Sequence, residues 1–173
     1  MKILFIGDAA DFHVADKYNQ YCNTFSEDSA LLYSGISIES SAAVESMKHS
    51  GQITRYDMSW LMLRRQKKAS QIFKNLVKAA LYPFQLLLLR RFYSSHPDFS
   101  LQSFTMYYIL MCYISRVRTV ATPQGSEILQ RLSSSYIYRL FALRALSYAK
   151  AVIVDSIAMK VKLEEYGIRS KVL

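Results

Sequence analysis

The chain has 173 residues, enough for one compact domain with its own core and too few for two ordinary domains. Hydrophobic residues make up 51%, and only 5 Gly and 3 Pro occur, which excludes a low-complexity or linker-rich chain. Two cysteines, Cys22 and Cys112, are too few for a disulfide framework or a metal cluster, and they indicate buried thiols in a reducing compartment.

The N-terminal sequence MKILFIGD carries one positive charge and a short apolar run that ends at an acid. This run is too short for a secretory signal peptide. The apolar stretches near 79–89 and 104–115 are shorter than the roughly 20 residues that span a bilayer. We therefore expect a cytoplasmic protein, one that can rest on the inner face of the cell membrane.

The first hundred residues begin with a buried strand at 2–6, which ends at Gly7. The elements predicted next are a helix over 14–25, a strand over 30–38, a short helix over 40–50 and a helix over 61–82. Pro83 is expected to kink or break the last of these, and a second helical piece continues to about Tyr93.

The excess positive charge lies in one segment, because no acid occurs between Met58 and Pro97. A polyanion such as anionic lipid, a phosphorylated carrier or nucleic acid would be attracted to it. The helical period also gives this segment an apolar face, which either packs on a sheet or lies on an anionic membrane. The basic residues are Arg64, Arg65, Lys67, Lys68, Lys74, Lys78, Arg90 and Arg91, and the apolar face comprises Ala69, Ile72, Phe73, Leu76, Val77 and Ala80.

The remainder of the chain alternates strands with helices. Strands are predicted at 99–104, 118–123, 151–155 and 171–173, and helices at 105–115, at 127–149 with a break near 133–135, and at 157–166 before Gly167. Such alternation predicts an α/β fold, with a Rossmann-like parallel sheet and helices on both faces.

Ligands of open α/β sheets bind at the carboxyl ends of the strands. Here the strongest local signal is TPQGSEIL at 122–129, where Gly125 would permit an unusual turn and Ser126 would cap a helix starting at Glu127. The exposed amides of that helix suit a hydroxyl or a phosphate oxygen, and the alternative is a plain helix cap. The other polar strand ends are Gly7-Asp8, Gln102-Ser103 and Asp155-Ser156.

His13 is a weak candidate for a general base near the first turn, and the alternative is a surface or packing residue. The sequence contains no Gly-x-Gly-x-x-Gly, Walker, Cys-x-x-Cys or His-Glu-x-x-His motif. Dinucleotide, nucleoside-triphosphate and zinc sites therefore lack their usual marks.

The order and spacing of several stretches are typical of one protein family. These stretches are KILFIGDAADFH, RTVATPQGSEIL and the run from YRLFALRALSYAKAVIVDS to the end of the sequence. Together with PDFSLQSF they resemble the N-terminal domain of GT-B retaining glycosyltransferases of glycosyltransferase family 4. The resemblance covers about 97–173 and 1–20. It implies a two-domain enzyme in which this chain, residues 1–173, is the acceptor-side domain.

In that family the nucleotide-sugar donor is bound mainly by a C-terminal domain, which this chain lacks. The resemblance thus implies no cofactor or metal in this domain, and as partners a C-terminal GT-B domain and a glycan or lipid-linked acceptor. Gln124 replaces a histidine common in relatives, and Leu101-Gln102-Ser103 replaces a His-x-His, so no catalytic base is assigned at that loop. The residues expected to line the acceptor cleft are Gly7, Asp8, His13, Gln102, Gln124, Gly125, Ser126, Glu127 and Ser156.

The function so implied is transfer of a hexosyl group in polysaccharide or glycoconjugate synthesis, with the isolated chain inactive. One alternative is a non-catalytic half of a split glycosyltransferase, whose partner is a separate polypeptide. The other is a nucleic-acid-binding module that uses the basic segment 64–91, which is disfavoured because that segment contains no recognised nucleic-acid motif.

Overall fold

The structure is a computed structural model that describes residues 2–7, 12–24, 30–34, 71–169 and 172. The predictions for 40–50 and for the basic residues at 64–68 lie outside the described residues. The chain divides into two compact units, Met1–Ser100 and Leu101–Leu173.

The first unit contains β1 (Lys2–Gly7), α1 (Phe12–Thr24), β2 (Ala30–Ser34) and α2 (Gln71–Ser95). β1 and β2 are parallel, with Ile3 opposite Ala30 and Gly7 opposite Ser34. Every residue of β1 from Ile3 to Gly7 is buried, so the strand is an unbroken apolar run, as expected of a parallel strand covered on both faces. Phe5 of β1 meets Tyr21 of α1 edge to face, with ring centroids 5.7 Å apart.

α2 runs without interruption through Pro83, so the predicted break at that residue is wrong. Proline has no backbone N–H, so Pro83 cannot donate to the carbonyl four residues earlier, that of Ala79. Both Pro83 and Ala79 are exposed, and water can therefore supply the missing donor. Among the described residues, no helix combines the length and the apolar character needed to cross a membrane.

The second unit contains most of β3 (Phe99–Phe104) and all the elements that follow it in the chain. Its elements are α3 (Thr105–Ile114), β4 (Val120–Thr122), a π-helical segment (Glu127–Arg131) that continues into α4 (Leu132–Ser134), α5 (Tyr136–Tyr148), β5 (Ala151–Val152) and α6 (Ile157–Glu165). β3, β4 and β5 pair in parallel, with Ala121 between Ser103 and Val152. Val172 forms a further parallel bridge to Val152. The predicted α/β class is confirmed, with parallel strands joined through helices.

One cluster of buried side chains joins most elements of the second unit. α5 contributes small residues, Ala142 and Ala145, beside Leu146, which lets this helix pack closely among its neighbours. Each large aliphatic side chain buried there stabilises the fold by about 1.5–3 kcal/mol. The other buried members are Met106, Ile109, Ala121, Ile128, Leu132, Ala149, Val152, Met159, Leu163, Ile168 and Val172.

Two strands of this unit are shorter than predicted, because their flanking residues leave the ladder. β4 spans Val120–Thr122 instead of 118–123, and β5 spans Ala151–Val152 instead of 151–155. The amide of Ile153 still donates to the carbonyl of Ala121 at 2.8 Å, after which the chain turns into α6.

The break predicted near 133–135 is confirmed at Ser135, whose backbone is extended (φ −133°, ψ 117°). Its hydroxyl accepts a hydrogen bond from the Tyr138 amide at 3.3 Å and so caps α5. Gly167 also ends α6 as predicted, with φ at 85°, a left-handed conformation that favours glycine.

We predict opposite effects of alanine at two glycines. Gly167→Ala should lower the free energy of unfolding by about 1 kcal/mol, because an L-residue is strained at that φ. Gly125→Ala should leave it unchanged or raise it by up to about 1 kcal/mol, because Gly125 lies in a helical turn outside the left-handed region. Urea denaturation of both variants measures this, and an equal loss in the two would contradict it.

Candidate functional site

The turn that follows β4 is organised by one buried carboxylate. Glu127 is only 7% exposed, and its Oε2 accepts a hydrogen bond from the Gln124 amide at 2.9 Å. The Gln124 carbonyl in turn accepts from the amides of Glu127 and Ile128, which makes Gln124 the residue at the N-terminal cap. A glutamate three residues after the cap that bonds back to the cap amide is one half of a capping box.

The same carboxylate also holds the start of α3. The Met106 amide donates to Oε1 and Oε2 of Glu127, each at 3.0 Å. Met106 follows Thr105, a β-branched residue with φ at 61°, a strained conformation that costs about 1–3 kcal/mol. Glu127 therefore joins the N-termini of two helices, where the helix dipoles favour a negative charge.

Two expectations for this turn are wrong. Ser126 does not cap the helix, since its backbone is already helical (φ −63°, ψ −30°) and its side chain makes no cap hydrogen bond. Gly125 does not adopt an unusual conformation, because the helical turn already includes it. The helix starts at Gly125, earlier than the predicted start at Glu127, and the Glu127 carboxylate accepts from the Gln124 amide before it.

The side chain of Gln102, two residues before the end of β3, reaches Thr122, the last residue of β4. The Gln102 side-chain amide donates to the Thr122 hydroxyl at 3.0 Å. Ser103, on the opposite face of β3, is fully buried, and the Thr119 hydroxyl lies 3.1 Å from its Oγ. Gln102 thus belongs to the end of the sheet that also carries Gln124, and Ser103 belongs to the core.

Ser156 lies after β5 at the same end of the second unit. Its hydroxyl accepts a hydrogen bond from the Met159 amide at 3.3 Å, and Ser156 is therefore the N-terminal cap of α6. The Met159 Sδ would lie 3.8 Å from a Cβ built on Gly125, which places the beginnings of these two helices side by side. Gln124, Gly125 and Ser156 therefore follow the carboxyl ends of β4 and β5, and the Gln102 side chain reaches the last residue of β4. That these residues line an acceptor cleft stays a prediction.

The predicted site residues of the first unit are placed only in part. Gly7 is the last residue of β1 and is buried, and His13 lies in the first turn of α1. Asp8 is outside the described residues. The expectation that Gly7 and Gly125 border one cleft stays a prediction.

Sequence reasoning missed Tyr138, which lies near the carboxylate. Its hydroxyl is buried and has no hydrogen-bond partner in the part of the chain that the structure describes. Burial raises the pKa of this phenol, the negative charge of Glu127 raises it further, and Arg131 opposes the shift. Tyr138 is therefore held as a neutral hydroxyl. No local motif marks it, because the carboxylate whose charge acts on it, that of Glu127, lies earlier in the chain on a different helix.

Cys112 is not a candidate nucleophile. Burial raises the pKa of its thiol to about 12, although a hydrogen bond with Ser103 opposes the shift. A thiol so held stays protonated and unreactive near neutral pH. The predicted burial of this cysteine is confirmed, and the Cys22 side chain is outside the described residues.

The charge of Glu127 decides what the turn can bind. Helix N-termini attract anions through their free amides and their dipoles. Here a buried carboxylate already lies at two of them, within 3.0 Å of the Met106 and Gln124 amides. A second negative group would be repelled at this distance, so the turn suits a neutral hydroxyl better than a phosphate.

The architecture defines a class of domain, a Rossmann-like α/β unit of the GT-B type. The crystal structure of Anabaena Alr3699/HepE in complex with UDP matches it with a TM-score of 0.62, over 100% of this chain at 15% identity. The chain spans 43% of the length of that solved chain. At this identity the likeness shows the fold alone, and the assignment to glycosyltransferase family 4 stays a prediction. No protein-family model matches the chain, and no curated protein matches it by sequence.

Replacing Glu127 by glutamine should destabilise the second unit strongly. Glu127→Gln puts an amide N–H against a backbone N–H donor, and we expect a loss of about 1.5–3 kcal/mol in the free energy of unfolding. The matched control is Glu165→Gln, which removes a surface ion pair with Lys162 and should cost far less, because solvent screens that pair. Equal losses in the two variants, measured by chemical denaturation, would show that the buried carboxylate is not needed.

Removing the unpaired hydroxyl of Tyr138 should stabilise the protein. Tyr138→Phe deletes a buried polar atom that has no partner among the described residues, and we expect a gain of up to about 1 kcal/mol. Tyr136→Phe, at a tyrosine that is 70% exposed, serves as the control and should change nothing measurable. A clear loss in Tyr138→Phe would mean that the hydroxyl has a partner in solution.

Proposed function

We propose that this chain is the acceptor-side domain of a glycosyltransferase that moves a sugar from a nucleotide-sugar donor to a glycan or lipid-linked acceptor. The observation that carries the proposal is the fold match over the whole chain to a protein solved in complex with UDP. The resemblance of RTVATPQGSEIL and of the C-terminal stretch to glycosyltransferases points to the same activity.

The chemistry of the edge supports an acceptor role. Gln102, Gln124 and Ser156 supply amide and hydroxyl groups at the carboxyl ends of three parallel strands, where open α/β sheets bind ligands. The Glu127 carboxylate makes this edge unfavourable for a diphosphate and compatible with sugar hydroxyls. The donor nucleotide is accordingly assigned to a second, C-terminal GT-B domain in the same or a separate polypeptide.

None of the residues at this edge is assigned as the catalytic base. Gln124 cannot take up a proton near neutral pH, and Glu127 has its carboxylate oxygens bonded to backbone amides. The role of these residues in the proposed reaction is to orient an acceptor hydroxyl. His13 stays a candidate for the base.

The chain alone should bind UDP weakly and transfer no sugar. Catalysis requires donor and acceptor to be held together in a closed, oriented site, and the proposal places the donor contacts elsewhere. UDP titration by calorimetry and product analysis with UDP-glucose and UDP-N-acetylglucosamine measure the two properties. Sugar transfer by the chain alone would contradict the assignment of the donor site to a second domain. Transfer that appears only when a donor-binding partner is added would support it.

The acceptor role itself is tested in protein that contains both halves. Gln124→Ala should raise KM for the acceptor by about tenfold, the effect of losing one hydrogen bond to a bound hydroxyl, and leave KM for the donor unchanged. Ser133→Ala, at an exposed serine after the turn, is the control. A change in donor KM alone would place Gln124 on the donor side and refute the assignment.

A further inference from the structure

The outer face of α2 carries a stripe of apolar side chains that nothing covers in the described structure. Leu76 is 63% exposed, Phe84 43% and Leu87 66%. Ala80 and Pro83 lie between them and are also exposed. The spacing of these positions, at three or four residues, puts them on one side of the helix.

The opposite side of α2 is the one that packs inward. Gln85 and Leu89 are 0% exposed, and Phe92 is 4% exposed. They are half a turn away from the stripe, so α2 is anchored without it. The alternative in which the apolar face packs on a sheet is therefore wrong for its described members, Leu76 and Ala80.

Positively charged side chains extend the apolar stripe toward the C-terminus of α2. Arg90 and Arg91 are exposed one turn after Leu87, on the same side of the helix. The sequence has no acid anywhere between Met58 and Pro97, so no negative side chain of this segment opposes them. An apolar stripe beside cations, without acids, complements a surface that is apolar inside and anionic outside.

We propose that the outer face of α2, defined by Leu76, Ala80, Pro83, Phe84, Leu87, Arg90 and Arg91, is a docking surface for an anionic lipid bilayer. The helix would lie in the plane of the interface, with the three large side chains among the acyl chains and the arginines at the headgroups. This surface is independent of the proposed sugar transfer. It would bring the domain to a membrane whatever its acceptor is.

The test is co-sedimentation of the chain with vesicles of phosphatidylglycerol, compared with vesicles of phosphatidylcholine. Binding to the anionic vesicles at low salt should be strong and should fall steeply as salt rises, because the arginine contribution is screened. Binding to the neutral vesicles should be weaker by roughly tenfold or more. A wild-type chain that ignores phosphatidylglycerol at low salt would overturn the proposal.

Two sets of variants locate the surface. Leu76→Ser with Phe84→Ser and Leu87→Ser should weaken vesicle binding by roughly tenfold or more, since three apolar side chains no longer enter the bilayer. Arg90→Glu with Arg91→Glu should do the same and reduce the salt dependence of binding. Circular dichroism should show unchanged folding, because all five residues are exposed.

The matched control lies on α6. Ile157 is 82% exposed and Val161 49%, four residues apart on one side of a helix that also carries Glu164 and Glu165. The pair Ile157→Ser and Val161→Ser should leave binding unchanged, because acids accompany that stripe. Equal weakening by the control would show that binding is a general effect of apolar surface, and would refute α2 as the docking site.

Two other outcomes would also refute it. Exposed residues occur on α5 too, where Tyr136 and Ile137 are each 70% exposed, and loss of binding only on changing these to Ser would move the surface there. A dimer in light scattering that the α2 serine variant converts to a monomer would make α2 an interface between copies of the chain.

Discussion

The second unit depends on the burial of one charge. The Glu127 carboxylate accepts from the amides of Met106 and Gln124, which begin the helices after β3 and β4. Those amides have no acceptor within their own helices, and leaving them buried and unpaired would cost about 1–3 kcal/mol each. One side chain therefore sets where two neighbouring strands end and where their helices start. The strained backbone of Thr105 persists because this contact holds it.

The same contact shapes the chemistry of the edge. Open α/β sheets usually present unoccupied helix N-termini to phosphates at this place. Here the protein supplies negative charge itself, through Glu127 and the exposed Asp155, and the polar groups nearby include the neutral side chains of Gln102, Gln124 and Ser156. An edge of this kind recognises hydroxyl groups by geometry more than by charge. The assignment of the chain to the acceptor side of a sugar transfer depends on this difference.

The excess positive charge of the protein is concentrated in the acid-free segment that includes α2, in the first unit. The inward side of α2 packs through Leu89 and Phe92, and its outer side leaves Leu76 and Leu87 in solvent. Exposed leucines in line on one helix are costly unless a second surface covers them. In the second unit residues 128–154 are also free of acids, but the helix there, α5, has 13 residues against 25 for α2, so we connect membrane docking with the first unit.

The sequence alone determined most of the elements and their order. The apolar run KILFI marks a buried parallel strand, and AVIVD marks the place of a shorter one, β5. Gly167 ends its helix because only glycine is unstrained at that φ. Only the tertiary structure decided that Glu127, and not Ser126, satisfies the turn, because its second partner, Met106, lies 21 residues away in the chain. It likewise decided that α2 continues through Pro83 and that Tyr138 lies beside a carboxylate. Local propensities cannot report contacts between residues distant in sequence, and those contacts are what define the candidate site.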